Sequence, residues 1–215
     1  MGQRREPRVL SADDPGASSA ALAAIEAGEL VAVPTETVYG LTCARRDDAL
    51  ARLVAAKGRP LEKGITLLVD GPAMAREVGT LPAPAERLAA RYWPGPLTLV
   101  VPLARGVVLP RLVTGGGTTV GLRVPEVAVT RALATAYGPL PLTSANRSGQ
   151  AEARSAQEVV AALGDAVALV LDGGLAPGGV PSTVVACDDE DPLRPWRVLR
   201  VGALAESEIA ATLEA

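Results

Sequence analysis

Apolar residues fall along this chain in two rhythms: the three-to-four-residue spacing of a helix face and the short unbroken run of a buried strand. Over residues 15–27 the spacing puts Leu22 and Ile25 on one face, with proline near the first turn and Gly28 past the end. That combination predicts a helix. Leu30-Val31-Ala32-Val33 predicts a strand, which Pro34 terminates. Ala49, Leu50, Leu53 and Val54 predict a second helix opened by Asp47 or Asp48, and the run over residues 65–69 a second strand. Helices are expected over residues 72–78 and 84–92. A strand over 97–101 follows the stiff corner Trp93-Pro94-Gly95-Pro96.

Residues 119–124 alternate with period two, which turns Arg123 away from Leu122 and Val124. A helix over 127–137 leads into a short extended segment, 139–143. Ser155 opens the next helix, with Glu158 three residues on completing a capping box. Strands are expected at 168–171, 182–186 and 197–201, and a closing helix at 205–213. Residues 1–14 are polar and are expected to be a flexible lead-in to one domain over 15–215. Strands and helices alternate throughout, so the pattern predicts a single α/β domain.

Composition narrows the picture. Hydrophobic residues make up 48% of the chain, yet Phe is absent, with only two Trp and three Tyr, so the core must be aliphatic. A net charge of −3 argues against a general nucleic-acid binder, which would be basic overall. There is no histidine, which removes the usual general base and the commonest metal ligand. Cys43 and Cys187 are isolated thiols with no metal or disulfide spacing. No apolar leader and no run of about 18 apolar residues is present, so no membrane span is expected and a cytoplasmic location is.

Candidate chemistry centres on Lys57-Gly58-Arg59-Pro60 and Lys63-Gly64, in the connection between a helix and a strand. A helix C-terminus attracts basic residues in any case. Cations converging where the chain turns also suit a polyphosphate, Lys as a point charge and Arg as a bidentate donor. Further polar groups stand where predicted strands meet loops: Thr35 and Thr37, Arg123, Ser144 and Asn146, with Ser182 and Arg200 beyond them. Each has a plain alternative as a local cap, a turn or a surface charge.

In order, Pro34-Thr35-Glu36-Thr37-Val38-Tyr39-Gly40-Leu41, Ala56-Lys57-Gly58-Arg59-Pro60, Trp93-Pro94-Gly95-Pro96-Leu97-Thr98 and Leu122-Arg123-Val124-Pro125 resemble the signatures of the YrdC family. So do Ser144-Ala145-Asn146-Arg147-Ser148-Gly149, Asp172-Gly173-Gly174 and Ser182-Thr183-Val184-Val185. The resemblance covers roughly residues 15–205. It implies a twisted mixed sheet flanked by helices around a basic concave cavity. It also implies an enzyme joining L-threonine, bicarbonate (or CO₂) and ATP into threonylcarbamoyl-AMP with release of pyrophosphate. A separate transferase complex would then use that product to modify tRNA.

By the same resemblance Lys57 and Arg59 would be catalytic and would contact ATP together with Lys63, Ser144, Asn146 and Arg200. Thr35, Arg123 and Ser182 would contact threonine. Mg²⁺ would arrive with ATP, near Ser144 and Asn146. Positioning and electrostatics carry most of phosphoryl-transfer catalysis, so lack of histidine is compatible with this chemistry. Two positions depart from the common pattern: Leu68 stands where many members carry His, and Pro181 where Glu is frequent. A carbamoyl-adenylate-forming relative and a weak RNA-binding module are the competing functions.

Overall fold

In the computed structural model, which describes residues 6–187 and 195–214, the chain opens with β1 (Arg8–Ser11), α1 (Ala17–Glu26), β2 (Val31–Val33) and β3 (Gly40–Thr42). There follow α2 (Asp47–Lys57), β4 (Thr66–Leu68), α3 (Pro72–Val78), α4 (Ala83–Tyr92), β5 (Leu97–Pro102), α5 (Arg111–Thr114) and β6 (Thr119–Arg123). The last stretch comprises α6 (Ala128–Tyr137), β7 (Leu140–Ser144), α7 (Ala156–Leu163), β8 (Leu169–Asp172), β9 (Thr183–Ala186), β10 (Arg197–Arg200) and α8 (Glu206–Glu214).

The strands form one sheet in the order β1-β8-β2-β3-β7-β4-β6-β5-β9-β10. Pairing is mixed: β8 runs parallel to both β1 and β2, whereas β7 is antiparallel to both β3 and β4. The short apolar runs become strands because both sheet faces are covered, and strands buried on two sides read as unbroken aliphatic stretches. Val31, Ala32 and Val33 are fully buried, as are Leu67, Leu68, Leu97 and Leu99. Each such leucine contributes about 1.5–3 kcal/mol by leaving water.

The helices follow their predicted faces. In α1, Ala17, Ala21 and Ile25 turn inward, a repeat of four that fits one helical stripe. In α2 the buried face is Ala49, Leu50, Leu53 and Val54, and it also includes Lys57. Gly58 ends this helix in the left-handed region at φ 60°, which only glycine adopts without strain. The Gly58 and Arg59 amides then bond back to the Ala55 and Val54 carbonyls, both at 3.2 Å, and the chain reverses.

Three differences from the pattern-based expectation have local reasons. Residues 8–11, expected within a flexible segment, form an edge strand paired along its length with β8. Three of its four residues are exposed, so the segment has no apolar signature. α5 was not expected because four residues are too few to show a helical period. Ser155 Oγ accepts from the Glu158 amide as expected, but the Glu158 carboxylate takes the Arg154 amide at 2.6 Å, one residue short of a reciprocal capping box.

Candidate functional site

A cavity of about 470 Å³ opens on the sheet, lined from segments spread across the chain. Among its lining residues are Thr35, Arg59, Lys63, Arg123, Ser144, Ser182 and Arg200, all expected site residues. The topology explains the convergence. The β2–β3 connection brings Thr35, the reversal after α2 brings Arg59 and Lys63, the end of β6 brings Arg123, and the end of β7 brings Ser144. β9 and β10, beside β5, close the other flank with Ser182 and Arg200.

Arg59 is held by the turn it belongs to. Its Nη2 donates to the Gly64 carbonyl at 2.7 Å, Nε to the Lys63 carbonyl at 3.3 Å, and Nη1 to Thr143 Oγ1 at 3.4 Å. Burial, and then the charge of Arg200, pushes its pKa below the usual guanidinium range. Arg200 is lowered likewise, by burial first, with Arg123 repelling it and Glu152 partly compensating. Its Nη2 donates to the Ser182 carbonyl at 2.8 Å, while Ser182 Oγ shares a 2.8 Å hydrogen bond with Thr98 Oγ1. Mutually repelling guanidiniums around one cavity are what an anionic ligand would relieve.

Lys57 and Asn146 do not line the cavity. Lys57 is only 3% exposed, and its ammonium lies behind Ser144. Nζ donates to the Ser144 carbonyl, to the Asn146 carbonyl at 2.6 Å and to Asn146 Oδ1 at 3.2 Å. Three acceptors meet three protons. Ser144 Oγ donates to Asn146 Oδ1 at 2.6 Å, and Asn146 Nδ2 donates to the Gln150 carbonyl at 2.7 Å. Burial, followed by the Arg59 charge, brings the Lys57 pKa down to about 8. The structure therefore places Lys57 and Asn146 as the frame of the Ser144 loop.

Thr35 is buried too. Its hydroxyl donates to the Val38 carbonyl at 2.6 Å and lies 2.8 Å from Thr37 Oγ1, so it organises its own loop at the cavity edge. Arg123 Nη2 pairs with Glu36 Oε1 at 2.6 Å and with Thr37 Oγ1 at 3.0 Å, and Nε reaches the Gly95 carbonyl at 3.3 Å. Of the two departures from the common pattern, Leu68 is wholly buried within β4, and Pro181 lines the cavity beside Ser182.

Sequence reasoning did not single out Thr66, Thr98, Thr119 and Thr143, whose residues also line the cavity. Threonine in a strand is ordinary β-former chemistry, and nothing local shows which sheet face holds the ligand. Gly121 sits among them: a Cβ there would meet Thr66 Oγ1 at 3.3 Å, so its absence keeps the floor open. No cluster of three or more His, Cys, Asp or Glu side chains converges among the described residues. No helix among them is long and apolar enough to cross a membrane.

Comparison with known proteins matches residues 23–202 to the Sua5/YciO/YrdC family model, described as "Telomere recombination". The threonylcarbamoyl-AMP synthase of Bacillus subtilis is 37% identical over 207 residues, covering 95% of this chain and 58% of that protein. The enzyme of the same name from Chromohalobacter salexigens is 42% identical over 177 residues, covering 81% of this chain and 94% of its own length. The crystal structure of Pyrococcus abyssi Sua5 complexed with L-threonine superposes with a TM-score of 0.85 at 34% identity, over 97% of this chain and 60% of that one. The chain thus spans about three fifths of the Bacillus and Pyrococcus relatives.

Proposed function

This chain belongs to the Sua5/YciO/YrdC family, and on that footing we propose that it makes threonylcarbamoyl-AMP and pyrophosphate from L-threonine, bicarbonate and ATP. The observation that carries the reading is that one cavity, about 470 Å³, gathers Arg59, Lys63, Arg123 and Arg200 above a floor of threonine side chains. That volume falls within the roughly 300–1,000 Å³ of small-molecule sites. Its cationic lining suits substrates that are all anionic or zwitterionic.

The threonine amine takes up CO₂ to give a carbamate, and a carbamate oxygen then attacks the α-phosphorus of ATP. One P–O bond forms as the bond to pyrophosphate breaks. Arg59 and Lys63, both lining the cavity, would neutralise the triphosphate and the charge growing on the leaving group. Arg200 would bind along the nucleotide, with Ser144 offering a hydroxyl to it. Arg123, Thr35 and Ser182 form the end suited to threonine. Lys57 and Asn146 would act through the loop that carries Ser144.

Mg²⁺ accompanying ATP would meet the neutral Ser144 hydroxyl oxygen, with Asn146 behind it, a hard-oxygen contact that fits an ion held chiefly by phosphate and water. When bound it supplies charge neutralisation of the phosphates. The product would pass to a tRNA-modifying transferase, in keeping with a cytoplasmic enzyme.

The test is pyrophosphate release from MgATP with threonine and bicarbonate each added or withheld. Release is expected only with both, together with a product of the mass of threonylcarbamoyl-AMP. Release that ignores threonine but responds to carbamoyl phosphate would overturn the reading in favour of carbamoyl-adenylate formation.

A further inference from the structure

The cavity's cations fall into two kinds. Arg59, Lys63 and Arg200 line it without an ion-pair partner among the described residues, and the charge of Arg200 helps to lower the pKa of Arg59. Arg123 differs: it is 5% exposed and paired with Glu36, whose side chain is itself only 10% exposed. Breaking a buried pair by removing one partner is costly, and each member fixes the other's geometry.

Glu36 does more than neutralise. Its Oε1 accepts from Arg123 Nη2 at 2.6 Å, and its Oε2 accepts from the Glu126 amide at 3.1 Å, just ahead of α6. Its backbone carbonyl accepts from Gly178 at 3.1 Å. One residue thereby ties the β2–β3 connection to the segment after β6 and to the loop before β9. With Nη2 spent on Glu36 and Thr37, and Nε on Gly95, the donors of Arg123 left without an acceptor among the described residues are those on Nη1.

We propose that Glu36 is a positioning residue that holds Arg123 in one orientation, so that Nη1 receives the carboxylate of the amino-acid substrate. A neutral Arg–Glu pair presents directed donors without net charge, which suits one carboxylate. Arg59, Lys63 and Arg200, which have no ion-pair partner among the described residues, suit a triphosphate. Glu36 is therefore expected to govern the amino-acid affinity and to leave nucleotide affinity alone. This rests on the threonine-dependent reading above.

The test compares Glu36→Gln with wild type. In glutamine one of the two carboxylate oxygens becomes an NH₂ donor, so either Arg123 Nη2 or the Glu126 amide then faces a donor in place of its acceptor. KM for L-threonine should rise about tenfold or more, with KM for ATP and the binding of a non-hydrolysable ATP analogue nearly unchanged. In an Arg123→Ala background the same change should add little. A structural role alone would lower stability and affect both substrates together.

If Glu36→Gln does not fold by circular dichroism, Glu36→Asp replaces it, its shorter arm reaching only one partner. An unchanged KM for threonine in the folded variant, or equal losses for both substrates, would overturn the proposal. Wild-type enzyme without threonine-dependent release would overturn the underlying reading, and this proposal with it.

Discussion

Lys57 Nζ donates to the Asn146 carbonyl at 2.6 Å and to the side-chain oxygen of the same residue at 3.2 Å, from beneath the loop that carries Ser144. A charge expected among the phosphate contacts is engaged in holding that loop. The ammonium needs all three of its protons to do so. With burial bringing its pKa to about 8, it is charged below that value and loses a proton above it. kcat/KM is expected to fall above about pH 8 along a one-proton limb. In Lys57→Arg, whose guanidinium keeps its charge, the limb should move to higher pH. A limb at the same pH in that variant would assign it to another group. Lys57→Ala should lose about 10²-fold in kcat/KM, because three loop oxygens lose their donor.

Arg59→Ala should also lower kcat/KM by about 10²-fold or more, as for loss of a charge-stabilising donor. Lysine should not rescue it. Arg59 spends two donors bracing the Lys63 and Gly64 carbonyls and still lines the cavity, which a single ammonium cannot reproduce. Steady-state kinetics of both variants, at matched thermal stability, checks this. Near-wild-type turnover in Arg59→Lys would reduce its role to charge alone.

Trp93→Ala should act on folding. Trp93 Nε1 donates to the Leu97 carbonyl at 2.8 Å, and the ring packs against the core at the entry to β5. A loss of about 2–3 kcal/mol is expected by chemical denaturation, with little change in kcat/KM of the folded fraction. A large kinetic defect at unchanged stability would place the corner in the site, by way of the Gly95 contact to Arg123.

Much of this architecture was legible in the sequence, for identifiable reasons. Val31 to Val33 read as a strand because burial on both faces leaves little room for polar residues, and Leu97, Leu99 and Val101 because the face they share is buried. Edge strand β1 was illegible because its side chains face solvent and its only evidence is a ladder with β8, distant in sequence. Arg59 and Arg123 could be picked from motifs, but their partners could not. Glu36 belongs to the same motif as Thr35, yet nothing local says that it crosses to β6. Lys57 is the sharpest case. Its place in α2 was clear, whereas whether it faced the cavity or the loop beneath depended on how β7 lies against it.

The strand order also has a consequence for how the chain acquires its shape. Among the described residues β8 alone pairs with β1, and it is also a partner of β2, so the first strands lack that neighbour until residues 169–172 are available. β5 likewise waits for β9, and Arg200 belongs to the outermost strand, β10. Emerging from a ribosome, the N-terminal segments would hold several wall residues in place without a finished wall. The cavity is thus completed only once β8, β9 and β10 have joined the sheet, so binding competence and cooperative folding arrive together.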